Sequence, residues 1–152
     1  TYSSDIDLTY NDLMGSFIVY AETNREKILK NGSKMGVVPL IIKLLNDLLK
    51  KGVSEEEIML TKGFIRGNIT LNEETNEDHA LHNGLEFLLK QDTDVLNSYD
   101  VFDTKYKNIT KKQIDDVIKK YIKKENMTVC LIGNNKVNKN LIKNECEKIG
   151  IN

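Results

Sequence analysis

The sequence predicts an α+β fold, a mainly antiparallel sheet with helices packed on one face, in a single domain over residues 1–152. Strand-type alternation is confined to the first 23 residues, a block of helical apolar periodicity fills the middle, and one late β-branched run ends at Gly133. Strands first, then helices, then a returning strand is the order of a sheet clad on one side.

In Thr1 to Thr23, Ile6, Leu8 and Tyr10 alternate with polar residues, Asn11-Asp12 offers a turn, and Gly15 to Ala21 is rich in β-formers, so a hairpin is expected. Asn24 to Lys34 is polar, with Gly32 and Gly36 close by, and is read as a short helix that breaks. Pro39 suits the first turn of a helix whose Leu40, Ile41, Leu44, Leu45, Leu48 and Leu49 recur at helical spacing until Lys50-Lys51-Gly52 stops it. Ser54 with Glu57 is a capping box opening a second helix, to about Glu73, and Thr75 with Asp78 repeats that logic for a third, ending near Gln91. Asp94 to Lys107 is less periodic, though Val95, Tyr99, Phe102 and Tyr106 line one side of a helix. Thr110 to Gln113 caps another, with Ile114, Val117, Ile118, Tyr121 and Ile122 as its stripe. Met127 to Ile132 reads as a buried strand rejoining the sheet, and Val137, Leu141, Ile142 and Ile149 suggest a closing helix.

Apolar residues at 39% and charged residues at 30% describe a foldable chain rather than a disordered one. A net charge of −1 supplies no field for nucleic acid or acidic lipid, and the lysine pairs interleave with Glu and Asp as solvated helix faces. No apolar run is long enough to span a membrane, and the first residues carry no leader pattern, so an intracellular location, cytosol or organelle lumen, is expected. A chain opening Thr1-Tyr2 without Met predicts a longer parent upstream. Cys130 and Cys146 are expected as reduced, buried thiols, with pairing possible but unforced.

Catalytic chemistry is sparse. His79 and His82, three apart on a helix with Glu73, Glu77 and Glu86 nearby, fit neither His-Glu-x-x-His nor its inverse, so they read as surface histidines and no metal ligand is assigned. Gly63 and Gly67, four apart in the second helix, suggest a close approach of another backbone, or a substrate segment crossing that face. Neither a phosphate loop nor a nucleophile elbow is present, and no catalytic residue is assigned.

An ordered series of segments nevertheless carries a resemblance. Tyr2-Ser3, Tyr10-Asn11-Asp12 and Gly15 to Thr23 resemble the hairpin opening the second lobe of pitrilysin/insulinase-family zinc metallopeptidase halves, mitochondrial processing peptidase subunits among them. Lys51 to Ile58 is similar to that family's helix junction of lysine, glycine, valine, threonine and three glutamates, and Thr61-Lys62 falls where it has alanine-lysine. Leu71 to Glu74 resembles its helix end, Tyr106 to Ile114 its valine-threonine cap, and Asn126 to Gly133 its closing strand.

The resemblance implies the non-catalytic C-terminal lobe of a zinc metalloendopeptidase half, walling a peptide chamber, with no cofactor in this segment and zinc in the parent. Tyr2 matches the tyrosine of the family's Arg-x-x-x-x-x-x-Tyr substrate motif, whose arginine would lie upstream of Thr1. That implies a substrate-binding role at the scissile carbonyl, beside the alternative of an ordinary strand tyrosine. Implied partners are the zinc-bearing N-terminal lobe or second half and an unfolded peptide; a homodimer of the segment is a further possibility. Two other readings stay open: a structural relative like a respiratory core subunit, and a stand-alone peptide-binding module using its sheet edge.

Overall fold

The computed structural model describes residues 2–11, 13–71, 75–90, 98–133 and 137–150. The fold is α+β, with six helices and antiparallel strand pairing among the described residues. Contacts group the chain into two compact units, Thr1–Lys51 with Ile118–Asn152, and Gly52–Val117.

The first unit opens with β1 (Ser3–Tyr10) and β2 (Gly15–Glu22), paired antiparallel so that Ile6 faces Val19 and Leu8 faces Phe17. The Asn11 side chain turns the chain by accepting the N–H groups of Leu13 and Met14. Residues directly opposite share a face, so Ile6, Leu8, Tyr10, Phe17, Val19 and Ala21 gather on one side, and Ser3, Asp5, Asp7 and Glu22 share the other with Ile18 and Tyr20. The apolar side is uncovered: Leu8 is 63% and Phe17 53% exposed.

The expected short helix after Asn24 is a single 3-10 turn, Arg25–Lys27, followed by a second small hairpin of β3 (Lys30–Asn31) and β4 (Lys34–Met35). Gly36 then lies so close to the Leu29–Lys30 backbone that a Cβ there would collide with it. That approach lets Gly36 N–H donate to Leu29 C=O at 3.1 Å and Val38 N–H donate to Ile28 C=O at 2.9 Å, fixing where α1 (Val37–Lys51) starts. Pro39 sits in the first turn, where an amide would have no helical partner.

The core of this unit is Ile42 of α1 against Ile142 and Cys146 of α6 (Lys139–Cys146) and Ile149, ringed by Leu45, Leu49, Ile122 and Met127. Asn138 caps α6 by accepting from Asn140 and Leu141 N–H. Burial pushes the Cys146 thiol up, and the charge of Glu145 adds to it, as suits an inert core residue. Cys130 differs from expectation: it is an exposed free thiol. Its segment is the larger correction, because residues 127–133 form no strand among the described residues and join no sheet.

The second unit holds α2 (Glu55–Leu71), α3 (Asn76–Lys90) and α4 (Ser98–Val101), which runs on as a π-helical segment, Phe102–Tyr106. The start of α5 (Lys111–Tyr121) belongs here too. Three capping boxes form as the sequence predicts: Ser54 with Glu57, Thr75 with Asp78, and Thr110 with Gln113 each exchange side-chain and backbone bonds. The Ser54 backbone N–H, then its hydroxyl, hold the Glu57 carboxyl below its ordinary range, with Lys111 adding to both.

Gly52 ends α1 at φ +66° and leaves no room for a Cβ beside the Asp115 carboxylate, which accepts Val53 N–H at 3.2 Å and Lys111 Nζ at 2.6 Å. Gly63 and Gly67 correct another expectation, since among the described residues nothing approaches either. Their glycines therefore cost helix stability with no contact in return. Alanine at Gly63 or Gly67 is expected to raise stability by about 0.5–1 kcal/mol, and alanine at Gly52 or Gly36 to lower it by more than about 1 kcal/mol, in urea titrations. The reverse ordering would refute both assignments.

The depressed Glu57 pKa also carries a sign. Its contribution is present above the ordinary glutamate pKa of about 4.3 and is lost as the pH falls through the lower folded value. The stability advantage of wild type over Glu57→Gln, which keeps the reciprocal cap but cannot ionise, is expected to shrink on acidification through that range. A difference that stays flat there would show that the charge contributes nothing.

Candidate functional site

Tyr2 stands at the open end of the hairpin, 75% exposed, and its N–H donates to Glu22 C=O at 2.8 Å. Its hydroxyl donates to Asn24 Oδ1 at 2.9 Å. A phenol has one proton to give, so offering it to a substrate carbonyl means exchanging Asn24 for the substrate, one acceptor for another. The fold thus leaves Tyr2 accessible, with its hydroxyl proton given to Asn24.

Beside it lies a second polar set. Ser3 Oγ donates to Glu22 Oε2 at 3.0 Å, and the Tyr20 hydroxyl donates to Glu22 Oε1. The Tyr20 bond, then the Ser3 bond, hold the Glu22 carboxyl below its ordinary range; in return the Glu22 bond pushes the Tyr20 hydroxyl up. The Thr23 hydroxyl, one residue on, is buried without a hydrogen-bond partner among the described residues. Asn24, Glu22 and Tyr20 were not singled out by sequence reasoning, although register alone places residues 20 and 22 opposite 5 and 3.

His79 and His82 lie half-buried on α3, with Glu77 exposed and Glu86 half-buried. Glu73 lies outside the described residues, as do Gln91 and the Asp94–Asn97 part of the next expected helix. Among the described residues no three His, Cys, Asp or Glu side chains are placed to hold a metal ion. No step through a metal is assigned to this chain.

The second unit carries an apolar cleft of about 320 Å³ lined by Val53, Ile58, Ile65, Tyr106, Ile109 and Ile114. Ile58, Lys62 and Ile65 share one face of α2, a spacing visible in the sequence but not weighed there as a cleft wall. Lys62 Nζ donates to the carbonyls of Lys107 and Ile109, both at 2.7 Å, where the π-helical segment ends and no helical amide can satisfy them. Arg66 reaches over the Phe102 ring at 5.8 Å, tying α2 to the same segment. The first unit has a cleft of about 350 Å³ walled by Ile28, Leu29, Val137 and Leu141, with Arg25 and Lys30 at its margin. Neither cleft brings a nucleophile and base together.

Lys62→Met keeps the apolar stem and removes the ammonium, so it is expected to destabilise the protein by about 1–3 kcal/mol in urea denaturation. A change under about 0.5 kcal/mol would mean that water replaces Lys62 on these carbonyls without loss. Comparison of the chain with family models, curated proteins and solved structures finds no match.

Proposed function

We propose that this chain is the non-catalytic C-terminal lobe of a pitrilysin/insulinase-type zinc metalloendopeptidase half, walling the chamber in which an unfolded peptide is held. The observation that carries the reading is the order of its segments: hairpin, leucine-rich helix, Lys51-Gly52 stop with the Ser54–Glu57 cap, and Thr110 cap, at the spacing of that family's lobe. Two features of the fold support it. The hairpin leaves an apolar face uncovered, and helices of the second unit leave Phe64, Leu85 and Leu88 exposed, as a lobe built to pack on another body would.

In this role the chain contributes surface and orientation. The zinc-bearing N-terminal lobe, or a second half, supplies the activated water that hydrolyses the peptide bond. In this reading Tyr2 donates a hydrogen bond to a carbonyl of the bound peptide, releasing Asn24 as it does so, and its exposed hydroxyl, which donates to Asn24 Oδ1, supports that role. No described helix is long and apolar enough to cross a membrane, so nothing in these helices conflicts with a chamber wall.

The 152-residue chain alone is expected to retain no stoichiometric zinc after dialysis and to cleave no unfolded peptide, whereas the parent polypeptide does both. In the parent, Tyr2→Phe is expected to lower kcat by about ten-fold or more with a smaller effect on KM, the pattern of an interaction strengthened in the transition state. Peptidase activity in the isolated chain would overturn the assignment. A zinc-free, inactive parent would instead favour a purely structural relative.

A further inference from the structure

The two clefts are alike in size and differ in the charge they offer. In the second unit Lys62 Nζ is committed to the carbonyls of Lys107 and Ile109, and the Glu57 carboxylate to the Ser54 cap, so neither charge is free to meet a ligand. In the first unit the cleft margin holds Arg25, Glu26 and Lys30, all exposed, and none of their side chains forms an ion pair or hydrogen bond among the described residues. Two cations against one carboxylate leave one net positive charge beside an aliphatic lining.

Part of that lining is fixed from behind. Ile28, Leu29 and Val137 pack on the Ile42 cluster, and the Ile28 and Leu29 carbonyls accept the amides of Val38 and Gly36 at 2.9 and 3.1 Å, so these walls are in place before anything enters. Leu141 of α6 completes the lining and is 48% exposed, which leaves aliphatic surface for a ligand to cover. Asn138 also lines the cleft, its side-chain oxygen engaged by the Asn140 and Leu141 amides. A concave aliphatic lining with a few charged groups at its margin is the chemistry of a small-ligand site.

We propose that this cleft binds a carboxylate carried on a short aliphatic chain, the chain covering Ile28, Leu29, Val137 and Leu141 and the carboxylate meeting Arg25 and Lys30. The planar guanidinium of Arg25 offers paired N–H donors to the two carboxylate oxygens, and the Lys30 ammonium adds a point charge. Glu26 repels a second negative charge, which favours a monoanion over a phosphate. A neutral chain of the same length covers the walls but leaves both cations unmatched, so charge sets the preference.

Methyl NMR on the 152-residue protein, titrated at neutral pH with octanoate and separately with octan-1-ol, tests this. The expected result is shifts at the methyls of Ile28, Leu29, Val137 and Leu141, with octanoate binding about five-fold or more tighter than octan-1-ol. Arg25→Gln combined with Lys30→Gln removes that preference, and Glu26→Gln strengthens octanoate binding by about two-fold. These positions are exposed, so the variants keep the fold, which unchanged Ile42 and Ile142 methyl shifts verify. Equal affinity for the acid and the alcohol would overturn the proposal, as would a double variant that binds octanoate as wild type does. So would octanoate shifts confined to Ile6 and Leu8, which mark adsorption on the exposed hairpin face, or to the cleft of the second unit.

Discussion

The first unit depends on one long-range closure, made by Asn46. Its side-chain amide donates to Lys148 C=O at 2.9 Å and accepts Gly150 N–H at 2.8 Å, across more than a hundred residues of chain. Closing a loop that long is entropically unfavourable, and the loss is offset only if the closed ends bury apolar surface together. Here they do: the turn that Asn46 grips places Ile149 against Ile42, with Ile142 and Cys146 completing the cluster. An amide that both donates and accepts reads the backbone of the terminal turn in one orientation, so the hydrogen bonds set register while the isoleucines supply the driving force.

What this closure does not reach is as informative as what it holds. The buried cluster is small, and the hairpin's apolar face lies outside it. Ile6, Leu8 and Phe17 stay exposed to water, an apolar surface that the unit's own core does not cover. Tyr2 lies at the open end of this uncovered hairpin, its exposed phenol donating to Asn24 Oδ1.

The second unit is organised by backbone groups that ordinary helix bonding leaves unsatisfied. Lys62 takes the carbonyls released at the end of the π-helical segment, Asp115 takes the amide of Val53, and the capping residues take the first amides of α2, α3 and α5. Gly52 makes the Asp115 contact possible because any side chain there would occupy the carboxylate's position. The apolar cleft beside Lys62 is walled by α2 and the residues from Tyr106 to Ile114 that these bonds tie together.

Features decided within a few residues of one another were legible in the sequence: the first hairpin, the reach of α1 and its Gly52 stop, the three capping boxes, and the extent of α5. Each rests on a turn preference, a capping bond or a helical period that distant contacts do not need to supply. Tertiary structure alone decided what those elements meet. Gly63 and Gly67 look like packing glycines until their surroundings prove open; Cys130 looks buried until its segment proves unpaired; Lys62 looks like one lysine among many until the carbonyls it holds are in place. A β-branched run such as Thr128 to Ile132 states that it suits a sheet but not whether a partner strand meets it, because pairing is an agreement between two segments and only one of them is written at that place in the chain.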